Sequence, residues 1–287
     1  MLKKIDLHMH VSPEAVCKNG KVFISDPESM LGHMDEVEIE KAVLMSAGES
    51  AGALGSNEAN AVICRKYPDR FAWMCNVDTV SPETVYHRLA ACKEQGAVGI
   101  GELMQNLPAD DPFLQEIYSA AEKLSLPVTF HMSPSVGFNY GIVDEPGLPR
   151  LENMLQKYPN VTFLGHSQVF WIEISGDAPR DDQSRNRWGK GPVLPGGAVP
   201  RLFERYPNLC GDLSANSAGH AIMRDEAFGL TFLETYADRL YFATDMLNAE
   251  MTFPLGAWME EKAARGQLSR EACEKIFRTN ARRLCGL

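Results

Sequence analysis

Eight short, β-rich apolar runs divide the chain at near-regular intervals, and that spacing leaves few folds open. They cover residues 3–8, 41–47, 71–77, 97–103, 127–132, 161–166, 209–215 and 240–245, with starts 38, 30, 26, 30, 34, 48 and 31 residues apart. Such an interval holds one strand and one helix, which is what joining parallel strands requires. Helical patterns fill the gaps. Ser81-Pro82 reads as an N-cap with proline in the first turn, and Gly96 closes that helix. Asp111-Pro112 opens the next, with Phe113, Ile117, Ala120 and Leu124 on one face. Leu151, Met154, Leu155 and Tyr158 stripe a third, and Ser269 caps the last. Tyr67-Pro68-Asp69, Tyr158-Pro159-Asn160 and Tyr206-Pro207-Asn208 each stop a helix and turn the chain toward the next strand. Eight βα units with no break in composition predict one domain over residues 1–287, a single (β/α)8 barrel of the α/β class. A doubly wound open sheet is the alternative.

The net charge of −10 argues against nucleic acid or an anionic membrane as the main partner. No stretch approaches the roughly 18 apolar residues of a membrane span, and Met1-Leu2-Lys3-Lys4 lacks an apolar leader. Seven scattered cysteines with no Cys-x-x-Cys pair predict free thiols and a cytoplasmic protein.

The chemistry is concentrated at strand ends. His8, His10, Glu102, His131, His166 and Asp245 all lie at or just past the C-terminal end of a predicted strand, where a barrel of this kind carries its active site. Residues i and i+2 of a strand share a face, so His8 and His10 point together. Imidazoles with carboxylates suit Zn²⁺ first, with Mn²⁺ or Fe²⁺ as alternatives. Asp245 is placed to take a proton from an activated water and return it to a leaving group, and His166 is the second candidate catalytic residue. A single histidine in an apolar strand is usually a packed core residue; four at strand ends favour a metal site. His33 and His87 read as solvent-facing.

Two decoys fall away. Gly48-Glu49-Ser50-Ala51-Gly52 matches a nucleophile elbow, but too few residues precede it and the acid and histidine that should follow are badly placed. Gly99-x-Gly101 lacks the third glycine of a dinucleotide fingerprint.

The motifs resemble the amidohydrolase superfamily, in particular its metal-dependent TIM-barrel hydrolases related to aminocarboxymuconate-semialdehyde decarboxylase. Ile5-Asp6-Leu7-His8-Met9-His10 is similar to that family's first-strand metal motif. His131 and His166 match its fifth- and sixth-strand histidines, and Asp245 its eighth-strand aspartate in a Thr-Asp context. Tyr67-Pro68-Asp69-Arg70-Phe71 and Asn280-Ala281-Arg282-Arg283-Leu284 also look like it. The resemblance implies one or two divalent ions with Asp245 as acid/base. In one-metal members His166 stands behind the ligands. In two-metal members a Gly-Glu like Gly101-Glu102 bridges the ions, so the count stays open.

The 48-residue interval after the sixth strand predicts a long rim loop. Arg185 and Arg187 there, with Arg224 after the seventh strand, are candidates to clamp an anionic group, and Trp171 and His220 to contact substrate. The competing reading is a solvated loop in which Asp177, Asp181 and Asp182 balance the cations. The expected activity is hydrolysis of an ester, lactone or amide in a small anionic molecule. Non-oxidative decarboxylation is the runner-up and a non-catalytic binding barrel the third possibility. A homo-oligomer is compatible with this sequence.

Overall fold

The computed structural model describes residues 2–49 and 55–287. The nucleophile-elbow motif, with Ser50 to Gly52, therefore lies partly outside the described residues.

All eight expected strands are present. In chain order they are β1 (Lys4–Met9), β4 (Ile39–Leu44), β5 (Phe71–Trp73), β6 (Ile100–Leu103), β7 (Val128–Phe130), β10 (Phe163–Gly165), β11 (Leu209–Asp212) and β12 (Leu240–Tyr241). The intervening numbers belong to two small accessory ribbons, β2 (Val16–Lys18) with β3 (Lys21–Ile24), and β8 (Met132–Ser133) with β9 (Ile142–Val143). The main strands pair in parallel as two sheets, β1-β4-β5 and β12-β11-β10-β7-β6. Isolated bridges span both seams. Cys75 meets Ile100 at one, where Gly101 N donates to Cys75 O at 2.7 Å. Met9 meets Met246 at the other, where Leu7 N donates to Phe242 O at 3.0 Å. The strand order thus runs around a barrel.

Alternation along each strand sorts the apolar residues into two layers. Leu44, Phe71, Trp73, Phe163 and Leu209 pack outward against the helices. Val43, Met45, Ala72, Met74, Leu164 and Tyr241 form a second cluster with Ile5 and Leu7, filling the barrel. In β1 the pairing to β4 shifts register between Asp6 and Met9. Leu7 belongs to the inner cluster and Met9 to the outer one. A bulge of this kind re-aims the side chains that follow it, and here those are His8 and His10.

The capping signals operate largely as read. Asp111 accepts from Phe113 N at 2.8 Å and opens the helix Pro112–Leu124, and Ser269 accepts from Ala272 N at 3.0 Å. Ser81 makes no side-chain cap, and Pro82–Thr84 is a 3-10 turn before the helix Val85–Glu94. One segment differs more. Residues 11–40 have the length of a rim loop, yet they hold the β2–β3 ribbon and a full helix, Pro27–Glu36. Asp26 caps that helix through Ser29 N at 2.9 Å, and His33 is buried on its inner face with Nε2 donating to Met251 O at 3.1 Å. His33 is therefore not solvent-facing, whereas His87 is exposed. Among the described residues no helix is long and apolar enough to cross a membrane.

Candidate metal centre

The barrel brings His8, His10, Glu102, His131, His166 and Asp245 to one end. Except for Asp245, their side chains are at most 7% exposed; Asp245 is 28% exposed and stands nearest to solvent.

Each donor has a local cause. His8 and His10 follow the bulge in β1. Asp245 N donates to His8 O at 2.7 Å, and Asp245 adopts φ +58°, a left-handed conformation that aspartate tolerates better than most residues. This turn sends its carboxylate back over the first-strand histidines: Oδ1 lies 3.5 Å from His8 Nε2 and 3.4 Å from His10 Nε2. Glu102 lies in β6, the edge strand of the five-stranded sheet at the seam with β5, and its two oxygens face different histidines. Oε2 lies 3.6 Å from His8 Nε2 and 3.9 Å from His10 Nε2. Oε1 accepts from His131 Nδ1 at 2.7 Å and lies 3.7 Å from His166 Nε2.

Asp212 was not singled out in the sequence, where the seventh run extends to residue 215; in the structure it ends that strand. It is fully buried, and His8 Nδ1 donates to its Oδ2 at 2.7 Å. That bond leaves the Nε2 lone pair of a neutral His8 facing the other donors. Ser214 Oγ and His166 Nδ1 share a bond of 2.7 Å that orients the second ring in the same way. Behind them Asp6, also missed, accepts from His8 N and Thr244 N, each at 3.0 Å, and ties the first strand to the eighth. Burial pushes the Asp6 carboxyl up to about 7.

The donor set fits a divalent ion. His8 Nε2 is buried without a hydrogen-bond partner, and the nearest groups are carboxylate oxygens. Only a cation resolves that arrangement. A proton is one solution: burial opposes it, but the charges of Asp212 and Asp245 outweigh burial and raise the His8 pKa well above the usual imidazole value. A metal ion is the other. Ligands about 2.1 Å from a tetrahedral ion lie about 3.4 Å from one another. The four imidazole–carboxylate contacts, from His8 Nε2 and His10 Nε2 to Asp245 Oδ1 and Glu102 Oε2, run from 3.4 to 3.9 Å. Ligand atoms of His8, His10 and Asp245, and separately of His8, Glu102 and His166, all lie within 4.8 Å of one another. His131 is in neither triad, and its Nδ1 lies 2.7 Å from Glu102 Oε1. Burial raises Glu102 and Asp245, yet the facing histidines hold both pKa values below the ordinary carboxylate range. Burial, then the charge of His8, lowers His166.

The expected substrate contacts separate into two groups. Arg185 is 1% exposed, with Nη1 donating to Asp144 O at 2.9 Å and Pro134 O at 3.2 Å. Trp171 is also 1% exposed, and its Nε1 donates to Asp212 O at 3.1 Å. Both therefore brace the rim from within and offer no free face to a small molecule in this conformation. Arg187 and His220 line an open cavity on the rim loop, and Arg224 Nη1 donates to Lys190 O at 3.0 Å.

An Asp212→Asn variant is expected to keep the fold and lose metal affinity by about 10–100-fold, since a carboxylate behind a ligating imidazole fixes its orientation and basicity. Competition against a coloured chelator measures this, and unchanged affinity would remove Asp212 from the centre.

A barrel with imidazoles and carboxylates converging at the C-terminal strand ends is a metal-dependent enzyme architecture. The amidohydrolase family model matches residues 5–287, and the chain belongs to that family. Among curated proteins none matches. Similar solved structures include an uncharacterized TIM-barrel protein from Bordetella bronchiseptica, 20% identical over 99% of both chains with a TM-score of 0.65. A dihydroxybenzoic acid decarboxylase from Polaromonas, with bound manganese and the inhibitor 2-nitroresorcinol, is 18% identical over 100% of this chain and 98% of its own, with a TM-score of 0.63. A probable 2-pyrone-4,6-dicarboxylic acid hydrolase from Acinetobacter baumannii, with citric acid bound, is 16% identical over 100% of both chains at a TM-score of 0.57.

Proposed function

We propose that this chain is a hydrolase with two divalent ions, Zn²⁺ foremost, that cleaves an ester, lactone or amide bond in a small anionic substrate. The observation that carries this reading is the division of Glu102. One oxygen faces the His8 and His10 rings and the other faces His131 and His166. A carboxylate so placed can belong to two ions at once. His8, His10, Asp245 and Glu102 would hold the first, and His131, His166 and Glu102 the second. The bound ions would supply Lewis-acid polarisation of the scissile carbonyl and would lower the pKa of a water toward neutrality.

The remaining work falls to the chain's own groups. Asp212 and Ser214 keep the His8 and His166 rings turned so that Nε2 faces the centre. Asp245, the donor most open to solvent, receives the proton of the attacking water and passes it to the leaving group. The negative protein charge and the absence of a basic surface stripe in the sequence favour a small-molecule substrate over nucleic acid or membrane.

Decarboxylation is the second reading, favoured by the Polaromonas decarboxylase with manganese among the similar structures. Asp245 would then protonate the carbon that loses CO₂. Elemental mass spectrometry of untagged protein tests the choice: about two ions per chain supports hydrolysis, and one supports the decarboxylase. Product analysis separates them again, as a new carboxylate or as released CO₂.

Metal uptake is also expected to release protons. His8 is raised, so at neutral pH the metal-free protein holds a proton that the first ion must displace. Affinity then rises with pH and falls on acidification. Calorimetry in two buffers of different ionisation enthalpy reads the protons directly, and identical heats in both would contradict the assignment.

A further inference from the structure

The loop that leaves His131 comes back to that residue. It runs out from β8 over residues 134–141 and returns as β9, which pairs in parallel with β8. Gly141 closes it. Its amide donates to Met104 O at 3.0 Å, and Ile142 N donates to His131 O at 2.8 Å. Asn106 Nδ2 donates to Gly141 O at 3.1 Å, and Asn139 N donates to Ser133 Oγ at 3.2 Å. Gly141 has φ +106°, and a Cβ there would stand 2.7 Å from His131 O and 2.9 Å from His131 Cδ2. Only glycine lets the backbone lie this close to His131.

This return path sets Tyr140 on the centre. Its ring centroid is 4.3 Å from that of His131, with the planes tilted by 43°. The phenol group also feels the charges of Glu102 and Asp245, so it stands within electrostatic reach of both carboxylates. Yet the residue is 49% exposed, and among the described residues its hydroxyl makes no hydrogen bond. Neighbouring donors of the rim are committed to backbone carbonyls: Asn106 Nδ2 to Gly141 O, Arg185 Nη1 to Asp144 O, and His220 Nε2 to Gly189 O at 2.8 Å. Packing does not account for the hydroxyl, since a ring that only braced His131 would serve as phenylalanine.

We propose that Tyr140 is a further catalytic residue, whose hydroxyl donates a hydrogen bond to the substrate oxygen that gains negative charge as the carbonyl is attacked. A phenol holds its proton at neutral pH and is a donor without any prior ionisation. A donor held in place by a braced loop needs no reorganisation as that charge develops. Asp245 and Tyr140 then have separate tasks. The carboxylate moves the proton, and the phenol stabilises the oxyanion without transferring its own. The inference rests on hydrolysis at this mouth, as proposed above.

The test uses the full chain, stripped with chelator and separately reloaded with Zn²⁺. The probe is methylphosphonate, whose tetrahedral anionic oxygens resemble those of an attacked carbonyl. Calorimetry follows binding, and near-ultraviolet difference spectra follow the phenol. In reloaded wild type the probe is expected to shift a tyrosine band to the red, and the shift should vanish in Tyr140→Phe. That variant should bind the probe about 10–100-fold more weakly, the range for losing one hydrogen bond to a charged group, with metal content and thermal midpoint unchanged. Tyr140→Leu, which removes the ring as well, should weaken the probe by no less. A residue that only packs against His131 gives a different pattern, a silent Phe variant and a damaged Leu variant. No band shift in reloaded wild type, a shift that survives in Tyr140→Phe, or equal affinity in that variant would each overturn the proposal. Metals per chain, measured on the same samples, keep the two readings apart. Normal metal content without the phenol signal sinks the role of Tyr140 alone. A chain that takes up no metal sinks the metal-dependent reading, and Tyr140 is then judged by the same band shift in the metal-free protein, where its absence overturns the role too.

Discussion

Glu102→Gln protein is expected to carry about one divalent ion per chain or fewer where the parent carries about two, and to lose roughly 10³-fold or more in hydrolytic rate. The reason is the number of anionic oxygens. Ionised Glu102 offers one oxygen to each half of the centre, 3.6 Å from His8 Nε2 and 2.7 Å from His131 Nδ1. An amide has a single acceptor oxygen and carries no charge. Its NH₂ would turn two donor protons toward one ring pair, where no cation could then sit. The quartet of His8, His10, Asp245 and residue 102 would keep three ligands, so one ion can remain. The rate estimate follows from removing one of two charges that stabilise a developing oxyanion, for which losses of about 10²–10³ are typical for a single donor, with the lost ion adding to it. Elemental mass spectrometry gives the count, and a variant that still holds two ions would end the bridging assignment. Because Glu102 is buried, a thermal melt should accompany the measurement. A variant that melts like its parent but binds half the metal separates ligation from folding.

Asp245→Asn is the second large effect. It should retain the first ion through His8, His10 and Glu102, with weakened affinity, and lose about 10²–10⁴-fold in turnover, the range for removing a positioned acid/base group. Asp245 combines two properties found together in no other donor. It lies 3.4–3.5 Å from both first-strand histidines, and it is 28% exposed where the others are nearly closed off. A group that must exchange protons with substrate and solvent needs that exposure; a group that only holds a metal does not. A variant that keeps its metal and loses turnover excludes the non-catalytic binding barrel. One that keeps full turnover transfers the proton role elsewhere, with His166 an unsuitable heir because it is 2% exposed.

Much of this was legible in the sequence because the barrel is periodic. Strand spacing announced eight βα units, and period two within each strand told which residues face the axis. His8, His10, Glu102, His131, His166 and Asp245 were found from their positions at strand ends, and the structure gathers all six. Asp212 was passed over because the seventh run reads as residues 209–215, which leaves it inside the strand, whereas the folded strand ends at Asp212. Asp6 lies inside an apolar strand, where only its partners Thr244 N and His8 N explain it. The long loops were harder. Arg185 and Trp171 have the composition of a substrate clamp, but both turn inward to satisfy backbone carbonyls, and nothing in their neighbours along the chain foretells that. His33 looked like a surface residue because the helix cap at Asp26 was not weighed.

The sequence by itself determined the barrel, the family and which six side chains converge at its mouth, because these rest on local spacing, on motifs and on side-chain direction within a strand. Only the tertiary structure decided how those donors divide. The facing of the two Glu102 oxygens depends on strands β1, β6, β7 and β10 closing to a common axis, and the separations of 2.7–3.9 Å arise between residues far apart in the chain, on different strands. It also decided which loop cations are free. Whether an arginine meets a carbonyl, an aspartate or open water is settled by which loops pack beside it, and that information is carried by the folded chain as a whole.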